Sequence, residues 1–379
     1  MSVLKSIRIT QLKEQTEDGT HVIIVLSGID QGLGAAIADL IAENDEVTFA
    51  SYSKHHPLLD IHHIRIDTTR ASTWKHAWNE AVRSFARIWK DVQNMNPNVV
   101  AYTAGEQNHI VTHWSYEKRN EPVMQAQSLC KSRSRRTCRV PAIELETSNG
   151  FNKKAPKEWG ILSNADLYGK ITLMRILPSV ANAFRRALLS NIPTLALVHA
   201  EVDENNCMYC DEILLHRISL IPFRYIHGVP CDSTVATISL TAHHPMLSDQ
   251  CPDNKHSQYT VTSKDFILSD NICVATPFAA NHVTCDDTQE VSRAEYPIAL
   301  LRPGQEIRMT GTLAVGNGNR HARFSAVIVN EYNILEIYDD EHVKITIGVE
   351  MIGQLSVNET VTACLDALIN QTEALVLHE

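Results

Sequence analysis

The sequence predicts an α+β chain of two similar units, the second interrupted by a β-rich insertion. Two observations carry this expectation. Short β-rich runs alternate with amphipathic helical stripes near both ends of the chain. Between the two halves of the later unit lies a long stretch of strand-like runs broken by Gly, Pro, Asn and Asp. Each unit presents two apolar helix faces that a small sheet cannot cover alone, so a pseudo-twofold four-helix contact is expected to bury both sets. The expected boundaries are 1–96 for the first unit, 97–162 for a connector or insertion, 163–192 and 342–379 for the split second unit, and 193–341 for the insertion.

In the first unit, His21-Val-Ile-Ile-Val-Leu26 is a β-rich run, and Gly28-Ile-Asp30 turns it. Leu33, Ile37, Leu40 and Ile41 then recur at helical spacing on one face. Two more strands are expected at Val47–Tyr52 and His62–Ile66. A long helix follows, with Trp74, Trp78, Ala81, Phe85, Ile88 and Val92 on its stripe and a stop near Pro97. From Pro97 to Ser163 the periodicity fades. Lys118, Arg119, Lys131, Arg133, Arg135, Arg136 and Arg139 make this the strongly basic stretch of the chain. It reads as a solvated connector, with phosphate contact or nuclear targeting as the functional alternatives and Arg133, Arg135 and Arg136 as the nucleic-acid candidates.

Order returns with the strand Lys170-Ile-Thr-Leu-Met174 and a helix started by Pro178, whose face is Val180, Phe184, Ala187 and Leu188. At the other end, Val343–Val349 reads as a strand. A final helix carries Val357, Val361, Cys364, Leu365, Leu368, Thr372 and Leu375 on its stripe. Ser356 with Glu359 three residues on is a capping box that fixes where that helix starts.

Composition narrows the function. Hydrophobic residues make up 44% and charged ones 21%, ordinary for a chain that buries a core. Lys+Arg 34 against Asp+Glu 44 gives a net charge of −10, which argues against a general polyanion binder. No apolar run reaches the ~18–20 residues of a spanning helix. Met1 to Thr10 carries Lys5 and Arg8 without the apolar stretch of a secretion signal. Nine cysteines, an odd number without a dense framework, suit a reducing compartment. A soluble intracellular protein is therefore expected. Cys207-Met-Tyr-Cys210 is a lone C-x-x-C, and a four-ligand site needs a second pair. The eighteen histidines show no H-E-x-x-H or comparable spacing. No metal and no cofactor is expected, with Cys207 and Cys210 the only nucleus for one.

One stretch is more specific. Pro178-Ser-Val-Ala-Asn-Ala-Phe-Arg-Arg-Ala-Leu-Leu-Ser-Asn-Ile-Pro-Thr-Leu-Ala196 resembles the first dimerisation helix of the RNA polymerase alpha family. The archaeal D and third eukaryotic subunits resemble it more closely still. Asp211–Pro222, Thr262–Ile267, Leu301–Glu306, Gly316–Phe324 and Val349–Gly353 follow in family order. The first unit looks like the partner subunit, archaeal L or the eleventh eukaryotic one. Asp30-Gln-Gly-Leu-Gly34 stands where that family has Asp-His-Thr-Leu-Gly-Asn, and Val47–Pro57 matches its strand ending in His-Pro. Gln31, Gly32 and Ala35 depart from the signature, which implies a looser helix entry lacking its usual polar contacts.

The resemblance implies a non-catalytic platform for the two large catalytic subunits, with both halves of the usual heterodimer in one polypeptide. Its dimerisation core would be Leu33, Ile37, Leu40, Phe85, Ile88, Val180, Phe184, Leu188, Val361, Leu365 and Leu368. Arg185 and Arg186 lie off the apolar stripe and are expected to face solvent or another subunit. The resemblance assigns Arg186 to the second-largest subunit, in an interface set completed by Asn182, Arg185, His216, Arg217, Arg320 and His321. His216 and Arg217 also read as ordering the loop into Pro222. Gly316-Asn-Gly318 lacks the strand–loop–helix context of a phosphate cradle. Implied partners are the largest and second-largest polymerase subunits and small zinc-binding subunits like the tenth and twelfth eukaryotic ones, with DNA met only through the complex and no membrane contact. Fused platforms resembling this one occur in large cytoplasmic DNA viruses, which implies infected-cell cytoplasm or virion, and the nucleus if the chain is cellular. The rival readings are a free-standing interaction protein or assembly chaperone of the same fold, and a metal-dependent hydrolase built on the Cys and His excess.

Overall fold

The computed structural model describes residues 8–14, 20–54, 56, 59–70, 73–95, 142–147, 168–226, 228–231, 234–244, 258–268, 273–275, 296–337 and 342–377. The first unit runs β1 (Arg8–Glu14), β2 (His21–Ser27), α1 (Gln31–Ala42), β3 (Val47–Lys54), β4 (His62–Thr68) and α2 (Thr73–Met95). Its strands form an antiparallel sheet in the order β1-β2-β4-β3. Ile24 lies opposite Ile64 and Val22 opposite Ile66, all buried, so alternation puts one apolar face of the sheet under the helices. Gly28 makes the turn out of β2 with a φ of 81°, a conformation other residues adopt at a cost. β1 has no counterpart in the sequence reading, because Arg-Ile-Thr-Gln-Leu-Lys-Glu is mostly polar with few β-branched residues.

A strand also lies inside the stretch read as a connector. β5 (Ala142–Thr147) pairs antiparallel with β6 (Tyr168–Ile176), so those residues are regular structure. α3 (Pro178–Ser190) follows with Pro178 in its first turn, as the sequence predicts. The chain then enters a β-rich body: β7 (Thr194–Asn205), α4 (Asp211–Ser219), β8 (Phe223–Tyr225), β9 (Val235–His243), β10 (Tyr259–Thr262), β11 (Phe266–Leu268), β12 (Cys273–Ala275), β13 (Pro297–Leu301) and β14 (Glu306–Gly316). A six-stranded sheet in the order β11-β9-β14-β7-β8-β12 dominates it, with β10 and β13 as a separate pair. Leu214 and Ile218 of α4 pack with Leu195, Phe223, Leu240, Met309 and Leu313 in a core of its own.

β15 (Val327–Ile337), β16 (Val343–Met351) and α5 (Val357–Glu373) return the chain to the second unit, whose sheet order is β15-β16-β6-β5. The Ser356 hydroxyl accepts the Glu359 amide at 3.3 Å while the Glu359 carboxylate accepts the Ser356 amide at 2.8 Å, the capping box the sequence predicts.

The helices of both units share one hydrophobic core. α1 packs against α3, α2 against α5, α1 against α2 and α3 against α5. At the centre, Trp89 stacks on Phe184 with ring centroids 5.2 Å apart. Buried large side chains such as Trp78, Phe85, Trp89 and Phe184 contribute roughly 1.5–3 kcal/mol each or more. The Trp78 indole donates to the Leu375 carbonyl at 2.9 Å, and Asn79 exchanges hydrogen bonds with the backbone of Leu377. The last turns of the chain are thereby strapped onto α2. Among the described residues, no helix is long and apolar enough to cross a membrane.

Candidate functional site

The seam between the two units is polar where it reaches the surface. Asp30 caps α1, accepting the Gly32 amide at 2.6 Å, and its two carboxylate oxygens receive the Arg186 guanidinium of α3 at 2.7 and 2.8 Å. One side chain thus both starts a helix of the first unit and clamps one of the second. Gly32 makes the approach possible, since a Cβ there would sit 2.9 Å from Arg186 Cδ and 3.0 Å from the backbone of Ala183. Burial alone raises the Asp30 carboxyl. The Arg186 hydrogen bonds, the Gly32 amide and the Arg186 charge outweigh it and hold the group below its ordinary value.

Beside this pair, the Tyr52 hydroxyl lies 2.7 Å from His62 Nδ1, and His62 Nε2 lies 3.3 Å from Asp60. Burial, helped by the Asp30 charge, pushes the Tyr52 phenol up to about 12. Burial also pushes His62 down, with the Asp60 hydrogen bond opposing. The Tyr52 ring fills the space where a side chain at Gly34 would stand, 2.4 Å away. A cleft of about 200 Å³ opens here, lined among others by Asp30, Lys54, Asp60, Arg186, Asn191 and Gln371. Its charges balance, Asp30 and Asp60 against Lys54 and Arg186, and Asp30 and Arg186 are engaged in holding the two units together.

A second seam joins the β-rich body to the second unit. Arg224 of β8, buried, reaches both oxygens of Glu359 at 3.0 Å and the Gln354 carbonyl at 3.1 Å. Glu359 is again a helix-capping carboxylate. Burial raises it, but the Arg224 hydrogen bonds and the Ser356 amide bring it below its ordinary value. Nearby, a Cβ on Gly318 would fall 2.4 Å from the Leu189 carbonyl, so only glycine lets this turn lie on the end of α3. Asn319 then bonds Asn191, which bonds Gln371 of α5.

The residues predicted from sequence fall as follows. Of the expected dimerisation core, Leu33, Ile37, Leu40, Phe85, Val180, Phe184, Leu188, Val361, Leu365 and Leu368 are buried in the shared core, while Ile88 is half-buried at its margin. Trp89, one position on, is fully buried in its stead. Arg186, expected to face solvent or another subunit, is clamped on Asp30 of the first unit while its side chain stays 37% exposed. The looser entry expected for α1 is corrected, because Asp30 alone supplies both cap and cross-unit bond.

Arg185 is held by Asn182 Oδ1 at 2.9 and 3.1 Å and lies over the Tyr332 ring. Arg217 donates to the Pro297 carbonyl and covers the Tyr209 ring, and the His216 carbonyl accepts the Ser219 hydroxyl. The Arg217 side chain thus ties α4 to β13 and to the turn before it, and His216 acts here through its backbone. Arg320 lies over Phe324, and His321 caps a single helical turn at Ala322–Phe324.

The Cys207 thiol accepts the Tyr209 amide within its own turn. Among the described residues, no three His, Cys, Asp or Glu side chains are grouped to hold a metal ion. Arg133, Arg135 and Arg136 lie outside the described residues. The sequence reading missed Asp30, Tyr52, His62 and Arg224 as seam residues. Asp30 had a signal, its place in the quoted motif. Arg224 had none.

Comparison with known proteins places this geometry. Residues 21–95 and, separately, residues 171–372 match the RNA polymerase Rpb3/Rpb11 dimerisation domain. The chain is 32% identical over 185 residues to DNA-directed RNA polymerase II subunit rpb3 of Dictyostelium discoideum, covering 47% of this chain and 54% of that protein. It is 28% identical over 226 residues to subunit RPAC1 of DNA-directed RNA polymerases I and III of Saccharomyces cerevisiae (49% and 62%). To DNA-directed RNA polymerase subunit Rpo3 of Archaeoglobus fulgidus it is 25% identical over 182 residues (46% and 60%). The chain therefore spans between 54% and 62% of the length of these relatives. With two such domains on one polypeptide, the second spanning more than half of it, the chain belongs to the RNA polymerase Rpb3/Rpb11 dimerisation-domain family.

Proposed function

We propose that this chain is a non-catalytic structural subunit of a multisubunit DNA-directed RNA polymerase, and that it serves as the platform on which the two large catalytic subunits assemble. One observation carries the reading. Two dimerisation domains of the same family lie on one polypeptide and close their helices over one core. The first unit stands for the eleventh-type subunit and the second, with the β-rich body as its inserted domain, for the third-type subunit. The usual heterodimer becomes intramolecular. A covalent link holds such partners at an effective concentration in roughly the mM range, so pairing no longer depends on their separate abundance.

Arg186 supports the platform in a particular way. Clamped by Asp30 and still 37% exposed, it offers the second-largest subunit a guanidinium whose position is already fixed. Arg185, Asn182, His216, Arg217, Arg320 and His321 extend the same assembly surface. The largest subunit and small zinc-binding subunits like the tenth and twelfth eukaryotic ones complete the set, and DNA is met only through the complex. The fusion itself, though with the third-type part second rather than first, is in keeping with a large DNA virus; the location would then be infected-cell cytoplasm or the virion, and the nucleus if the chain is cellular.

Affinity purification of the tagged chain from its native cells, with quantitative mass spectrometry, tests this. The expected result is the two large catalytic subunits at one copy each and no separate eleventh-type subunit. Recovery alone, or only with chaperones, would identify a free-standing interaction protein instead.

A further inference from the structure

β15 is the edge of its sheet, and among the described residues no strand pairs with its outer side. At 11 residues it is long for an edge. Its sequence, Val-Ile-Val-Asn-Glu-Tyr-Asn-Ile-Leu-Glu-Ile, lacks the lysines and prolines that usually blunt one. Ile328, Ile334, Leu335 and Ile337 are 49%, 56%, 54% and 75% exposed. The neighbouring β16 buries Val343, Ile345, Ile347 and Val349. The register slips twice against β16, leaving Asn330 and Leu335 without a partner residue, so the strand is pinned against sliding while its outer side stays open.

Charge then selects the occupant. The strand carries Glu331 and Glu336 and no cation. Lys170 and Lys344 approach these carboxylates only to 3.6 and 3.7 Å, from other strands and with solvent access, so they neutralise little. Two copies of the chain laid edge to edge would oppose these same acids, on molecules of net charge −10 each. We propose that β15 accepts, as an added strand, an extended segment of a partner protein in which apolar residues alternate with lysine or arginine. Backbone pairing supplies the affinity, Ile334, Leu335 and Ile337 receive the apolar side chains, and Glu331 and Glu336 set the sign. This goes beyond the platform reading and does not depend on it, because the segment is defined by its chemistry and not by its complex.

The test places a photo-cross-linking amino acid at Ile337 in the full chain in its native cells, with the cross-linked peptide sequenced by mass spectrometry. The expected product is one dominant segment of another protein that alternates apolar and basic residues. In a Glu331→Lys/Glu336→Lys chain its yield falls about tenfold or more, because like charges then face each other. The melting temperature stays within about 3 °C, as exposed substitutions rarely move it further. If the double variant loses its fold, Glu336→Lys alone, at a side chain 57% exposed, makes the same comparison. Cross-links to a second copy, to the chain's own residues 97–141 or to an acidic segment would overturn the proposal, as would no cross-link at all or a yield indifferent to the charge reversal.

Discussion

Removing the Asp30 carboxylate takes away the cap of α1 and the partner of Arg186 in one step. A lost cap costs about 1 kcal/mol, and a partly buried bidentate pair adds about 1–2 more, so Asp30→Ala should destabilise by about 2–3 kcal/mol. A urea unfolding midpoint that hardly moves would show the clamp to be idle. Acid should act at the same places. Asp30 and Glu359 have folded pKa values depressed below their ordinary 3.8 and 4.5. Their contribution is therefore fully present above those values and is lost as pH falls through the lower folded ones. Between pH 7 and 5 stability should be insensitive to these two groups. Below about pH 4.5 it should fall, and an Asp30→Asn/Glu359→Gln chain should fall less steeply, as read by denaturation at each pH. These residues were hard to find from sequence. Asp30 and Arg186 are separated by 156 positions and Arg224 and Glu359 by 135, and neither pair leaves a local period to read. What periodicity showed of Arg186 was that it is not core, which is true and insufficient.

Among elements, the four helices of the two units were legible, while the edge strands β1 and β5 and the helix α4 were not. α1, α3 and α5 each bury a stripe at helical spacing, with Asp30, Pro178 and the Ser356–Glu359 box marking their starts. α2 buries a wider face than its stripe suggested. It meets both α1 and α5, which draws Trp89 fully inside and leaves Ile88 at the margin. β1 and β5 escaped notice because each pairs at the side of a sheet and needs no apolar run to do so. Two substitutions test the packing of elements. Leu365→Asp puts an unpaired charge among the four helices, at a cost of several kcal/mol. A variant that stays soluble and monodisperse would refute that arrangement. Gly318→Ala forces a Cβ against the Leu189 carbonyl, a backbone atom that cannot swing aside, and should cost about 1–3 kcal/mol by thermal melting. An unchanged melt would mean the turn does not rest on α3 as described.

At the scale of the whole molecule, two units and a β-rich body are joined by shared core and by capping carboxylates that reach across to arginines. The division into two similar units was visible from the recurrence of strand–helix patterns. The way the units close was expected from the same patterns, since four apolar helix faces that no small sheet could cover called for a four-helix contact. The structure shows them meeting each other, through Trp89 on Phe184 and the Trp78 bond to Leu375. That closure within one chain is the central claim, and cutting the chain tests it most directly. A protease site placed between residues 97 and 141 of the full-length protein is cleaved, and the product is sized under native conditions. The account predicts that the two pieces elute together as a 1:1 complex at the size of the intact chain. Pieces that separate on cleavage would contradict it.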